Sequence, residues 1–281
     1  MESLLFTDRK MDIFTEFLSQ IAFSVGIIVL FGLLIALCRT FACRIAGQAG
    51  TKMLLFTGII GTPIHELSHA LFCIVFGHRI TEIKLYDPDG ENGTLGYVSH
   101  SYNPQNVYHQ IGNFFIGIAP ILGGSGAIIL LMYLLTPTVF ADVYSDLSYL
   151  SGSTFNVFDG STYGILRETV TGVIGSIFDP KNADNALWWL FIVLSLTIAS
   201  HMELSFADVK GGFKGFVFVA LIWLVADAVS YFVSAPLLSD FTGTVISFSA
   251  TITAFLIVSL VFSLLLVLLS FVVKAFLGLK R

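Results

Sequence analysis

Residues 61–70 read Gly61-Thr62-Pro63-Ile64-His65-Glu66-Leu67-Ser68-His69-Ala70, and they lie inside an apolar run that extends over about Lys52–Gly77. A run of this length crosses a hydrocarbon layer of about 30 Å as a helix. Ionisable side chains inside such a helix are costly and by default mark function. His65, Glu66 and His69 are therefore the residues this helix has to explain.

Five further apolar runs flank this one, at about Phe17–Cys38, Ile111–Leu135, Ala186–Phe206, Phe213–Val233 and Val245–Phe276. The expected fold is an all-α polytopic membrane protein with about six transmembrane helices, a single integral membrane domain over residues 1–281. Composition agrees: the 281 residues are 56% hydrophobic and 12% charged, against about 25% charged in an ordinary soluble domain. That excludes a soluble globular protein. The first run is too long for a signal-peptide core and reads as a retained helix. A net charge of −5 with no Lys/Arg-rich block excludes nucleic acid as a partner. Three cysteines, odd in number and without C-x-x-C spacing, indicate neither a disulfide framework nor a zinc knuckle.

Two connections are long. Residues 78–110 hold two β-like runs, Ile80–Tyr86 and Thr94–Tyr102, around the turn-rich Asp87-Pro88-Asp89-Gly90-Glu91-Asn92-Gly93, which predicts a hairpin that is cytoplasmic or re-entrant. Residues 136–185, rich in Ser, Gly, Asp and Thr, are expected to form an extracytoplasmic cap. Placing both termini in the cytoplasm puts Arg9, Lys10, Arg79, Lys84, Lys210, Lys214, Lys274, Lys280 and Arg281 inside. Arg39, Arg44, Lys52, Arg167 and Lys181 then lie outside, and the inward excess favours this topology. The expected location is the plasma membrane of a bacterium.

The decamer contains H-E-x-x-H. Two histidines four residues apart on a helix project from one face, about 6 Å apart along the axis, so both imidazoles can reach one Zn²⁺. Glu66, beside the first ligand, can take a proton from a zinc-bound water without occupying the metal, and can return it to a leaving amine. A structural histidine pair would not explain a glutamate buried between its members. A catalytic zinc needs a third protein ligand, and Ser200-His201-Met202-Glu203-Leu204-Ser205-Phe206-Ala207-Asp208 is the best source. His201 and Asp208 share a helix face but would sit about 10 Å apart along it, so both cannot bind one ion without a break. Asp208, near Gly211 and Gly212 where an unwound end could turn a carboxylate inward, is the favoured ligand. His201 is then a candidate for a supporting or oxyanion-stabilising catalytic role, and the alternative third ligand. Glu203 and Asp227 are weaker choices, and His78, His100 and His109 lie in the connection after the motif helix.

The chain resembles the site-2 protease class of intramembrane zinc metallopeptidases. The likeness rests on His65-Glu66-Leu67-Ser68-His69 in a membrane helix, a β-like segment after it, Gly117-Ile118-Ala119-Pro120 in the next helix and an Asp near the end of a later one. Asp208 is followed by Val209 where that class usually has Gly, and Gly123 stands where it commonly has Asn. The resemblance implies a buried zinc held by His65, His69 and Asp208, with Glu66 as base. It also implies a hairpin that guides an unwound substrate, and cleavage of a membrane protein or peptide within or beside the bilayer. The competing expectations are a membrane metal-binding or transport protein and a catalytically inactive, protease-like interaction protein. Transport needs ionisable residues along several helices, whereas the run after residue 244 has none before Lys274.

Overall fold

The computed structural model describes residues 17–18, 20–90, 94–151, 160–233 and 235–276. A π-helical turn at Ala22–Gly26 leads into α1 (Ile27–Ala46), and Gly47 at φ 56° separates α1 from the motif helix α2 (Gln48–Val75). Strands β1 (Arg79–Lys84) and β2 (Tyr97–Ser101) follow, then α3 (Val107–Leu135), α4 (Pro137–Ser151) and α5 (Gly160–Ile177). A 3₁₀ turn at Pro180–Asp184 precedes α6 (Ala186–Ala199), α7 (Phe206–Val233) and α8 (Ala235–Phe276). The protein is all-α and polytopic, with one small antiparallel sheet among the described residues.

Among the described residues, five helical stretches are long and apolar enough to span a membrane: Ser24–Ala46, Gln48–Val75, Val107–Leu135, Phe206–Val229 and Phe248–Phe276. The sixth expected span, Ala186–Phe206, is different. Its helix α6 has 14 residues, about 21 Å, short of a hydrocarbon core. Asn185 caps its start by accepting from the Leu187 amide, and the chain leaves the helix after Ala199. The segment His201–Ser205 that follows is where the candidate site is built.

α3 is the central helix, packed against α2, α6, α7 and α8, while α1 lies along α8. Ile121, Ile128 and Met132 of α3, Phe191 of α6 and Phe262 of α8 are fully buried between them. The outward faces are equally apolar: Leu30, Leu33, Leu37 and Phe41 form an exposed helical stripe on α1, as expected where the solvent is hydrocarbon.

Two connections correct the sequence reading in detail. Within the expected cap at 136–185, the described residues are mostly helical, with α4 and α5 packed on each other and on α8. Val139 and Val143 of α4 and Val173 and Ile177 of α5 are their buried faces. Within 78–110 the hairpin is present with shorter strands, paired from Arg79 with Ser101 to Lys84 with Tyr97 and irregular between Ile80 and Glu82. Its last residues, His109 among them, belong to α3. The hairpin rests on α2, where the Tyr86 hydroxyl donates to the Leu55 carbonyl at 2.6 Å.

Candidate metal centre

α2 is continuous through Pro63, and its helical spacing places His65 and His69 on one face with ring centroids 5.0 Å apart. The two rings are oriented by backbone carbonyls. Nδ1–H of His69 donates to the Ile116 carbonyl at 2.8 Å. That carbonyl belongs to the middle of α3, where residue 120 would ordinarily supply its helical donor. Residue 120 is Pro120, which has no N–H. Nδ1–H of His65 donates to the His201 carbonyl at 2.6 Å, which lies beyond the last turn of α6. A carbonyl can only accept, so each neutral imidazole carries its proton on Nδ1 and turns an Nε2 lone pair toward the site.

Asp208 is set by its own helix start. The Ser205 hydroxyl accepts from the Asp208 amide at 3.1 Å, and Asp208 Oδ2 accepts from the Ser205 amide at 2.8 Å. This is a reciprocal capping box at the N-terminus of α7. The carboxylate therefore points inward from the first turn of α7, and not from an unwound helix end as its glycine neighbours suggested. Gly212 and Gly117 allow α7 to lie against α3: a Cβ on Gly117 would come within 2.6 Å of the Asp208 carbonyl oxygen and 2.8 Å of Gly212 Cα.

The result is that donor atoms of His65, His69 and Asp208 all lie within 4.8 Å of one another. His69 Nε2 and Asp208 Oδ1 face each other at 3.3 Å. With the His69 proton on Nδ1, both atoms present lone pairs, and that arrangement is repulsive unless a cation lies between them. Two ligands about 2.0–2.1 Å from a tetrahedral zinc are about 3.4 Å apart. The observed separation is close to the edge of such a tetrahedron.

Glu66 is 5% exposed and lines a cavity of about 600 Å³ together with His65, His69 and Asp208. The approach to the hairpin closes one wall. Gly96 packs directly over Glu66 and Thr62, since a Cβ there would stand 2.9 Å from Glu66 Cγ and 2.8 Å from Thr62 Cγ2. Tyr97 and Val98 of β2 continue that wall. Outside the bilayer-spanning helices, the Lys84 ammonium beside Asp87 holds that carboxyl below the usual carboxylate range at the turn end of the hairpin.

Of the other residues singled out, His201 also lines the cavity, but its imidazole is outside the group of ligand atoms. Its Nε2 lies 3.0 Å from the Thr57 hydroxyl and its Nδ1 3.4 Å from that of Thr62. What His201 offers the site is its backbone carbonyl. Glu203 pairs with Arg39 of α1 at the cavity wall, and Asp227 is fully buried in α7, accepting from Gln20 at 2.9 Å. The sequence reading missed Arg39, Gly96 and the Ile116 carbonyl. Only the last left a readable signal, the proline four residues downstream. No family model, curated protein or solved structure matches the chain.

Proposed function

We propose that the protein is an intramembrane zinc metalloprotease of site-2 protease type, hydrolysing a peptide bond of a membrane-embedded or membrane-adjacent substrate. The observation that carries this reading is the set of lone pairs converging from His65, His69 and Asp208, with Glu66 adjacent to a ligand on the wall of an open cavity. The donor set of two imidazoles and one carboxylate suits zinc with a fourth position open. Zinc, when bound, supplies Lewis acidity that makes water nucleophilic near neutral pH.

The chain's own residues supply the rest. Glu66 accepts the proton of the attacking water as oxygen bonds to the scissile carbonyl carbon, and delivers it to the amide nitrogen as the C–N bond breaks. The sheet has two strands among the described residues. An extended substrate segment can therefore add along the hairpin beside Tyr97 and Val98, its carbonyl brought to Glu66. A folded helix offers no such edge, so the substrate must be unwound at the cut. The expectation that both termini are cytoplasmic counts six crossings; with five spans among the described residues the two termini fall on opposite sides, so it is not carried into this reading.

The test uses purified full-length protein in liposomes with a set of single-span transmembrane peptides, the products being read by mass spectrometry. Cleavage by wild type that disappears in Glu66→Gln, with zinc content unchanged, is the expected result. Equal cleavage by Glu66→Gln would sink the mechanism.

A further inference from the structure

One turn past His69 on the same helix, a second set of donor atoms converges. Sγ of Cys73 and ring nitrogens of His78 and His100 lie within 4.8 Å of one another. We infer that Cys73, His78 and His100 form a second metal site, of zinc type, that ties the hairpin to the motif helix.

The end of α2 builds half of it. Gly77, at φ 70°, turns the chain back so that the His78 amide donates to the Cys73 carbonyl at 2.8 Å and the Gly77 amide to the Ile74 carbonyl at 3.2 Å. This pair of bonds is the Schellman ending of a helix, and it returns the residue after the glycine to the level of the third-last helical residue. His78 is thereby fixed beside Cys73 by local backbone geometry. The other half comes from β2, where His100 pairs across the sheet with Ile80.

His78, like His65 and His69, is oriented by a backbone carbonyl, but through the other ring nitrogen. Its Nε2–H donates to the His109 carbonyl at 2.9 Å, so its Nδ1 lone pair faces the cluster, 3.1 Å from Nδ1 of His100. The Tyr102 ring stacks on His78 at a centroid distance of 4.8 Å and holds it in plane. A metal ion takes the place of the one proton shared between the two facing nitrogens, and His100 then carries its own proton on Nε2. The 3.1 Å gap is near the roughly 3.4 Å that two nitrogens span on one tetrahedral zinc. Cys73, a free thiol 0% exposed, releases its proton to solvent and binds as thiolate. A thiolate with two imidazoles selects zinc-like ions over Mg²⁺ or Ca²⁺.

The three ligands come from the motif helix, its capped end and β2. An ion there clamps the strand that follows Gly96, the residue packed over Glu66. The second site thus sets the position of the cavity wall without touching the first.

The experiment strips the full-length protein of metal in detergent and titrates it with Co²⁺. Wild type is expected to bind two ions per chain and to show a near-ultraviolet thiolate-to-cobalt charge-transfer band. The band should survive in Asp208→Ala, with the count falling to one. It should vanish in Cys73→Ser, again with one ion left. His100→Ala, at a half-buried strand position, covers the case in which Cys73→Ser does not fold. Its band should need at least about 10-fold more cobalt, a loss that even outer partners of a metal ligand bring. Hydrogen exchange at the β2 amides should slow when cobalt enters wild type and Asp208→Ala. No band in wild type, a band that persists in Cys73→Ser, or a band unchanged in His100→Ala would each overturn the second site. The first site fails separately, if Asp208→Ala still binds two ions.

Discussion

His69 makes the hydrogen bond that Pro120 cannot. The Ile116 carbonyl, left without a helical donor because residue 120 is a proline, accepts Nδ1–H of His69 at 2.8 Å. A proline inside a helix costs about 3 kcal/mol or more. Here its effect reaches another helix, where it fixes the tautomer of a candidate ligand and aims its free nitrogen at Asp208.

Pro120→Ala separates those two effects. The alanine N–H would compete for the Ile116 carbonyl, so α3 should become more stable while the His69 ring loses its orientation. We expect a higher unfolding midpoint together with zinc affinity reduced about 10- to 100-fold, the usual range for losing an outer partner of a metal-bound histidine. Chelator competition and thermal melts on one preparation check both. An unchanged zinc affinity would mean that the carbonyl does not position the ligand.

Asp208→Asn tests the facing lone pairs at 3.3 Å. The amide can present Nδ2–H to His69 Nε2, turning a repulsive contact into a hydrogen bond worth about 1 kcal/mol. The metal-free variant should therefore melt above metal-free wild type, and yet gain less from added zinc. A structural Asp–His pair with the proton on Nε2 predicts the opposite order in the metal-free state.

Ser205→Ala removes the hydroxyl that accepts from the Asp208 amide. Loss of a helix cap costs about 1 kcal/mol. Because the same box holds the carboxylate, zinc affinity should fall with stability, by about 10-fold. Ser205→Thr, which keeps the hydroxyl, should restore both. Rescue of stability without rescue of affinity would separate the cap from the site.

How far the sequence could be read follows from which atoms do the work. His65, Glu66 and His69 were legible because their spacing on one helix is a side-chain pattern, and the apolar run around them made their charge informative. Asp208 was reached for an incomplete reason: Gly212 matters through its contact with Gly117, and Ser205, three residues earlier, is what turns the carboxylate. The carbonyls of Ile116 and His201 carry no residue identity and could not be read as partners. Five spans and one short helix appear where six runs were seen, because hydropathy over Ala186–Phe206 does not register that the chain unwinds after Ala199. The expected cap at 136–185 carries no helix assignment, because the polar residues on α4 and α5 mask their helical period.

Gly96→Ala addresses the remaining wall. A Cβ at that position would stand 2.8 Å from the Lys84 carbonyl oxygen and 2.9 Å from Glu66 Cγ. Backbone on one side and the Glu66 side chain on the other leave it no room. The hairpin must move outward by a fraction of an ångström to about 1 Å, and a misplacement of that size can cost about 100-fold in rate. His65, His69 and Asp208 do not depend on Gly96, so zinc at those three ligands should stay at the wild-type level while kcat/KM for peptide cleavage drops. If cleavage is unaffected, the hairpin is a bystander and the substrate reaches Glu66 from another side.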